Sequence, residues 1–98
     1  MNPLQIEAHM SGPQQSDELA LLRIEIDSID QQLLALVNQR ANVAEKVGEL
    51  KRKEGSPFFR PDRVAQVIAR IQDANPGPLL NQHVASIWRE IMSACLAL

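Results

Sequence analysis

The sequence predicts an all-α protein of three helices, one long and two short, that associates at least as a dimer. Three observations carry this. Apolar residues recur at steps of three and four from Leu19 to Leu50, and two shorter stripes of the same period follow. No stretch alternates apolar and polar with the period of two that a half-buried strand requires.

The long helix comes first. Leu19, Leu22, Ile26, Ile29, Leu33, Leu36, Arg40, Val43, Val47 and Leu50 make one seam along it. No Pro or Gly interrupts the seam before Gly48, and Gly55-Ser56-Pro57 ends it. Some 36 residues at 1.5 Å of rise come to roughly 54 Å, longer than a folded domain of this size is wide. One chain leaves such a seam uncovered, so oligomerisation is the default way to bury it. Ahead of the seam, residues 1–17 lack periodicity and contain Pro3, Gly12 and Pro13, which reads as a disordered tail. Ala8-His9-Met10 within it reads as an expression scar with a natural start at Met10. The ordered domain is then residues 18–98.

Pro61 suits the first turn of a second helix, whose stripe is Val64, Val67, Ile68 and Ile71. Asn75-Pro76-Gly77-Pro78 breaks the chain again. Asn81 is the expected cap of the third helix, with Val84, Ile87, Trp88, Ile91, Met92 and Cys95 as its stripe.

Composition narrows the function. Ten Lys and Arg against twelve Asp and Glu leave no basic excess to coat a nucleic acid. The aromatics are Phe58, Phe59 and Trp88, too few for a base-stacking platform. One cysteine and two separated histidines give neither an internal disulfide nor zinc-ligand spacing, so no metal is expected. No apolar run approaches the ~20 residues of a membrane span, and a signal pattern is missing, which points to a cytoplasmic protein.

The chemistry starts from Arg40, the one guanidinium among ten seam positions. A buried unpaired charge costs several kcal/mol, so something must compensate it. Either it sets helix register against a carboxylate such as Glu45 or Glu49 of a partner, or it binds an anion within the helix interface. Lys51 follows eleven residues later, three turns plus about 20°, so it leaves nearly the same face some ~16 Å along the axis. It also belongs to the solvated run Lys51-Arg52-Lys53, which complements the helix C-terminal dipole. Arg23 lies seventeen residues before Arg40, about 25 Å away, so a ligand touching both needs Arg23 from a second protomer. Otherwise it is a surface charge paired with Asp27. Arg63 opens the second helix beside Asp62, either as a surface cation or as a further carboxylate clamp. Arginines around an apolar interface, without metal ligands or a nucleophile, suggest a polyanionic small molecule. Cys95 by itself reads as a small buried residue.

The run Leu22-Arg23-x6-Asp30-x9-Arg40-x10-Lys51, then Arg60-Pro61-Asp62-Arg63, then Arg89-Glu90-Ile91-Met92-Ser93 resembles the all-helical chorismate mutases. It is most similar to the N-terminal mutase domain of bifunctional chorismate mutase–prephenate dehydratases, over Leu19 to Leu98. The resemblance implies an intertwined homodimeric helical bundle that converts chorismate to prephenate without a cofactor. It implies that Arg23 crosses from the second subunit and clamps the substrate carboxylates with Arg40 and Arg63. Lys51 would donate to the ether oxygen as the carbon–oxygen bond breaks. Chorismate is a dianion, and a pericyclic step needs a held conformer and charge stabilisation rather than a base.

The sequence departs from that pattern in three places. Val64 stands where such mutases carry a glutamate for the substrate hydroxyl, and valine accepts no hydrogen bond. Cys95 stands where a serine touches a carboxylate, and a thiol is a weak donor. The chain ends at Leu98, one residue short of a side chain that assists Lys51, which reads as a cut ahead of a dehydratase domain. Two alternatives remain: isochorismate–pyruvate lyase on the same scaffold, suggested by Arg63-Val64, and a helical dimerisation module without turnover.

Overall fold

A computed structural model of the chain describes the backbone of residues 3–57 and 60–98 and the side chains of residues 16–57 and 60–98. Its elements are α1 (Pro3–Glu54), α2 (Pro61–Ala74) and α3 (Asn81–Leu96), and no strand occurs among the described residues. The chain divides into two compact units, Met1–Leu36 and Val37–Leu98. Phe58 and Phe59, two of the aromatics weighed above, lie outside the described residues, as do Met1 and Asn2 of the expected tail.

The first unit is helix. α1 starts at Pro3, ahead of the seam, and runs through the stretch to Asp17 that aperiodicity marks as irregular. Once a helix exists, each further residue faces only the propagation step, and Leu4, Gln5, Glu7, Ala8, Gln14 and Gln15 are good helix formers. All side chains described in this unit, from Ser16 to Leu36, are exposed.

In the second unit α1 turns a specific side inward. Val37, Arg40, Ala41, Ala44, Gly48 and Lys51 are half-buried, and they share one side of the helix. This stripe lies about a quarter-turn from the aliphatic seam at 100° per residue. Of the seam in this unit, Val43, Val47 and Leu50 stay 55, 44 and 57% exposed. Arg40 belongs to both the seam and this stripe, while the aliphatic seam residues beside it stay largely exposed on the single chain.

Gly55 ends α1 in a defined way. Its φ of +71° is left-handed, where a side chain is strained. Ser56 N–H donates to the Lys51 carbonyl at 2.9 Å and Gly55 N–H to that of Arg52 at 3.3 Å. These are the two bonds of a Schellman closure, and they satisfy carbonyls that the helix end leaves open.

α2 and α3 pack against each other and bury Val67 and Ile68 against Val84 and Ala85. The α3 stripe is Val84, Ala85, Trp88, Ile91, Met92 and Cys95, whereas Ile87 is exposed. Ala85 takes the inward place because its small side chain allows a close approach. The turn between these helices is held by Asn75, whose Nδ2 donates to the Leu79 carbonyl and to Asn81 Oδ1, both at 2.8 Å. Gln72 Nε2 adds a bond to the Asn81 carbonyl at 3.2 Å. Asn81 therefore does not cap α3. Leu80 holds that position without a side-chain cap bond, and the N–H groups of His83 and Val84 donate to its carbonyl.

Candidate active site

The second unit contains a cleft of about 410 Å³, within the range of small-molecule sites. Three segments build it. α1 supplies Arg40 and Lys51 from its half-buried side, the start of α2 supplies Arg60, Arg63 and Val64, and the end of α3 supplies Met92, Cys95 and Leu96. Five residues singled out from the sequence, Arg40, Lys51, Arg63, Val64 and Cys95, thus share one cavity. Arg23 belongs to the first unit and is exposed.

Arg40 donates from Nη1 to Cys95 Sγ at 3.4 Å. The contact ties the inward side of α1 to the end of α3. Arg63 Nη1 donates to Gln66 Oε1 at 2.7 Å, one turn along α2. Arg60 and Asp62 form an ion pair at 2.8 Å. The hydrogen bond from Arg60, followed by weaker effects, holds the Asp62 carboxyl below its ordinary value, and Asp62 in turn raises the Arg60 guanidinium. A depressed carboxyl contributes stability above its unfolded pKa and loses it as pH falls through the folded one. Both groups here are open to solvent, which keeps the contribution small.

Charge in the cleft is one-sided. Arg40, Lys51, Arg52, Arg60 and Arg63 outnumber Glu45 and Glu49, in a chain whose formal charge is −2. Val43 and Val47 of α1, Val64 and Val67 of α2, and Met92, Leu96 and Leu98 add apolar lining. A lining of this kind has the chemistry to hold an anion that also has a hydrocarbon face. No group of three or more metal-binding side chains occurs among the described residues. No described helix is long and apolar enough to cross a membrane.

The sequence did not mark Arg52 and Arg60 as lining residues, and it offered Glu45 and Glu49 only as one possible pairing for Arg40 across a partner; all four line this cleft. Helical period does not single out Arg52, Glu45 or Glu49, because they flank the inward stripe. Arg60 had a usable signal. Residues before proline avoid the helical region, and Arg60 is extended at φ −129°, ψ 98°.

An all-helical domain with a cation-lined cleft is the class that fold and site define. Residues 22–98 match the family described as chorismate mutase type II. The bifunctional chorismate mutase/prephenate dehydratase of Pseudomonas aeruginosa is 46% identical over 87 residues, covering 84% of this chain and 24% of that protein. The protein of the same name from Stutzerimonas stutzeri is 43% identical over 89 residues, covering 86% of this chain and 24% of that one. A solved chorismate mutase (form II) from Thermus thermophilus superposes with a TM-score of 0.81 at 28% identity, covering 83% of this chain and 92% of that one. The chain belongs to the type II chorismate mutase family. It spans about a quarter of the length of the bifunctional relatives.

Proposed function

We propose that this chain rearranges chorismate to prephenate in phenylalanine and tyrosine biosynthesis, without a cofactor. The observation that carries the reading is one cleft lined by Arg40, Lys51 and Arg63 in a member of this family. The substrate is a dianion whose internal bonds exchange in one step, so the enzyme's task is to hold a compact conformer and stabilise charge on the ether oxygen. Arg40 and Arg63 grip carboxylates, and the Lys51 ammonium meets the ether oxygen as the bond to carbon breaks. Val64 and Cys95 shape the walls. Arg23 completes the clamp from a second copy in an intertwined homodimer.

Support for the homodimer comes from the seam. Leu19, Leu22, Ile26, Ile29, Leu33 and Leu36 are all exposed on one chain, and a row of aliphatics that long is a surface to be covered. Residues 18–98 form the mutase domain and residues 1–17 a tail outside it. By analogy with the bifunctional relatives, the natural protein carries a dehydratase beyond this domain and works in the cytoplasm.

Chorismate consumption by the wild type, Lys51→Ala and Lys53→Ala tests this. Lys53 is exposed and outside the cleft. Loss of a donor to a developing oxyanion reduces kcat by about 10²–10³, so Lys51→Ala falls that far while Lys53→Ala keeps the wild-type rate. Equal rates overturn the role of Lys51. Pyruvate released from isochorismate, with chorismate untouched, identifies a lyase. No turnover and no saturable binding of a dicarboxylate leaves a dimerisation module.

A further inference from the structure

The proposed chemistry leaves Arg60 unused, yet its side chain lines the same cleft. Pro61 fixes where it stands. Arg60 is extended and occupies the N-cap position of α2, and its guanidinium, which has donors and no acceptor, takes no part in capping the helix. Asp62 holds that guanidinium from two residues away, through Nη2 to Oδ2 at 2.8 Å and Nε to Oδ1 at 3.4 Å. The pair engages one edge of the fork and leaves the Nη1 hydrogens for another acceptor. Arg63, also in the cleft, is steadied by Gln66. The first turn of α2 therefore presents two guanidiniums, each braced by a neighbour, to a cleft in which cations outnumber carboxylates.

We propose that Arg60 is a further substrate-binding residue, which draws the dianion to the cleft and hydrogen-bonds one of its carboxylates, with Asp62 bracing the guanidinium. The proposal rests on the mutase reading and adds a cation to it. Arg60 is 52% exposed, so it acts in capture and binding rather than on the breaking bond. A dianion approaching through this field arrives faster at low salt, and removing one contributing charge weakens that dependence.

The test compares wild type, Arg60→Ala, Arg60→Lys and Arg70→Ala. Arg70 is exposed on α2 outside the cleft, so its loss removes an equal charge without touching the site. Three quantities are read: kcat and KM for chorismate, the salt dependence of kcat/KM, and calorimetric binding of a bicyclic dicarboxylate that mimics the rearranging conformer. Arg60→Ala raises KM and the dicarboxylate Kd about three- to tenfold with kcat nearly unchanged, and flattens the salt dependence. Arg60→Lys recovers most of both, and Arg70→Ala behaves as wild type. Unchanged KM and Kd in Arg60→Ala, or an equal loss in Arg70→Ala, overturns the proposal. So does a loss shared by Arg60→Ala and Arg60→Lys together with a lower Tm, which makes the Arg60–Asp62 pair a structural clamp. If the wild type does not consume chorismate, the mutase reading fails on its own, and the dicarboxylate Kd still decides Arg60.

Discussion

Arg40 Nη1 lies 3.4 Å from Cys95 Sγ, joining the inward side of α1 to the last turn of α3 across fifty-five residues of sequence. Sulfur is a weak acceptor, so the contact orients the guanidinium more than it neutralises it. An Arg clamp depends on orientation, because its two parallel hydrogen bonds must meet a planar carboxylate.

That contact makes position 95 sensitive to chemistry more than to size. Cys95→Val fills nearly the same space but offers no acceptor, and kcat/KM for chorismate falls about tenfold as Arg40 loses its partner. Cys95→Ser keeps an acceptor and stays within about threefold of wild type. Steady-state kinetics on both variants decide the matter. A valine variant as fast as the serine one means that the sulfur does not position Arg40.

The exposed seam carries a second prediction. Leu36→Glu puts a charge among aliphatics that are already solvent-facing in the single chain, so far-UV circular dichroism stays helical. In the proposed dimer the same charge is buried unpaired, at a cost of several kcal/mol. Sedimentation velocity should then find a monomer, with most turnover lost because no second chain delivers Arg23. Gln31→Glu, an exposed position on the opposite side of α1, stays dimeric and active. A dimeric Leu36→Glu variant removes the seam from the interface.

The end of α1 gives a prediction about stability alone. A Cβ on Gly55 would meet nothing within 4 Å, so Gly55→Ala encounters no clash and costs only the left-handed backbone, about 1–2 kcal/mol. For a domain of this size each kcal/mol lowers Tm by about 4–8 °C, which calorimetry resolves. An unchanged Tm means that the Schellman closure at Lys51 and Arg52 is not holding the helix end.

Much of the architecture was legible in the residues. The breaks at Gly55 and at Asn75–Pro78 are written in glycine and proline, whose backbone preferences act locally and need no tertiary context. The seam's period identified α1, and the eleven-residue step from Arg40 to Lys51 put both on one side, where both are half-buried. Other features were not legible. Asn81 looked like a cap, but Asn75 competes for its side-chain oxygen, and that competitor appears only when the turn closes. Ile87 looked like core, yet Ala85 is buried and Ile87 is 43% exposed, because which edge of the stripe α2 covers is set by packing and not by period. The hydrogen bond from Arg40 to the Cys95 sulfur, between residues fifty-five apart, is likewise visible only in the folded chain.

The residues alone determined that this chain is helical, where its helices stop and that Arg40 and Lys51 lie on one side of α1. Those properties follow from backbone propensity and from the fixed rotation per residue of a helix. Tertiary packing decided that α1 half-buries Ala41, Ala44 and Gly48, which the aliphatic period did not mark. It also decided that Arg60 joins Arg40, Lys51 and Arg63 around one cavity. Period says which residues share a face. Which face is covered, and by what, depends on the shape of groups far away along the chain.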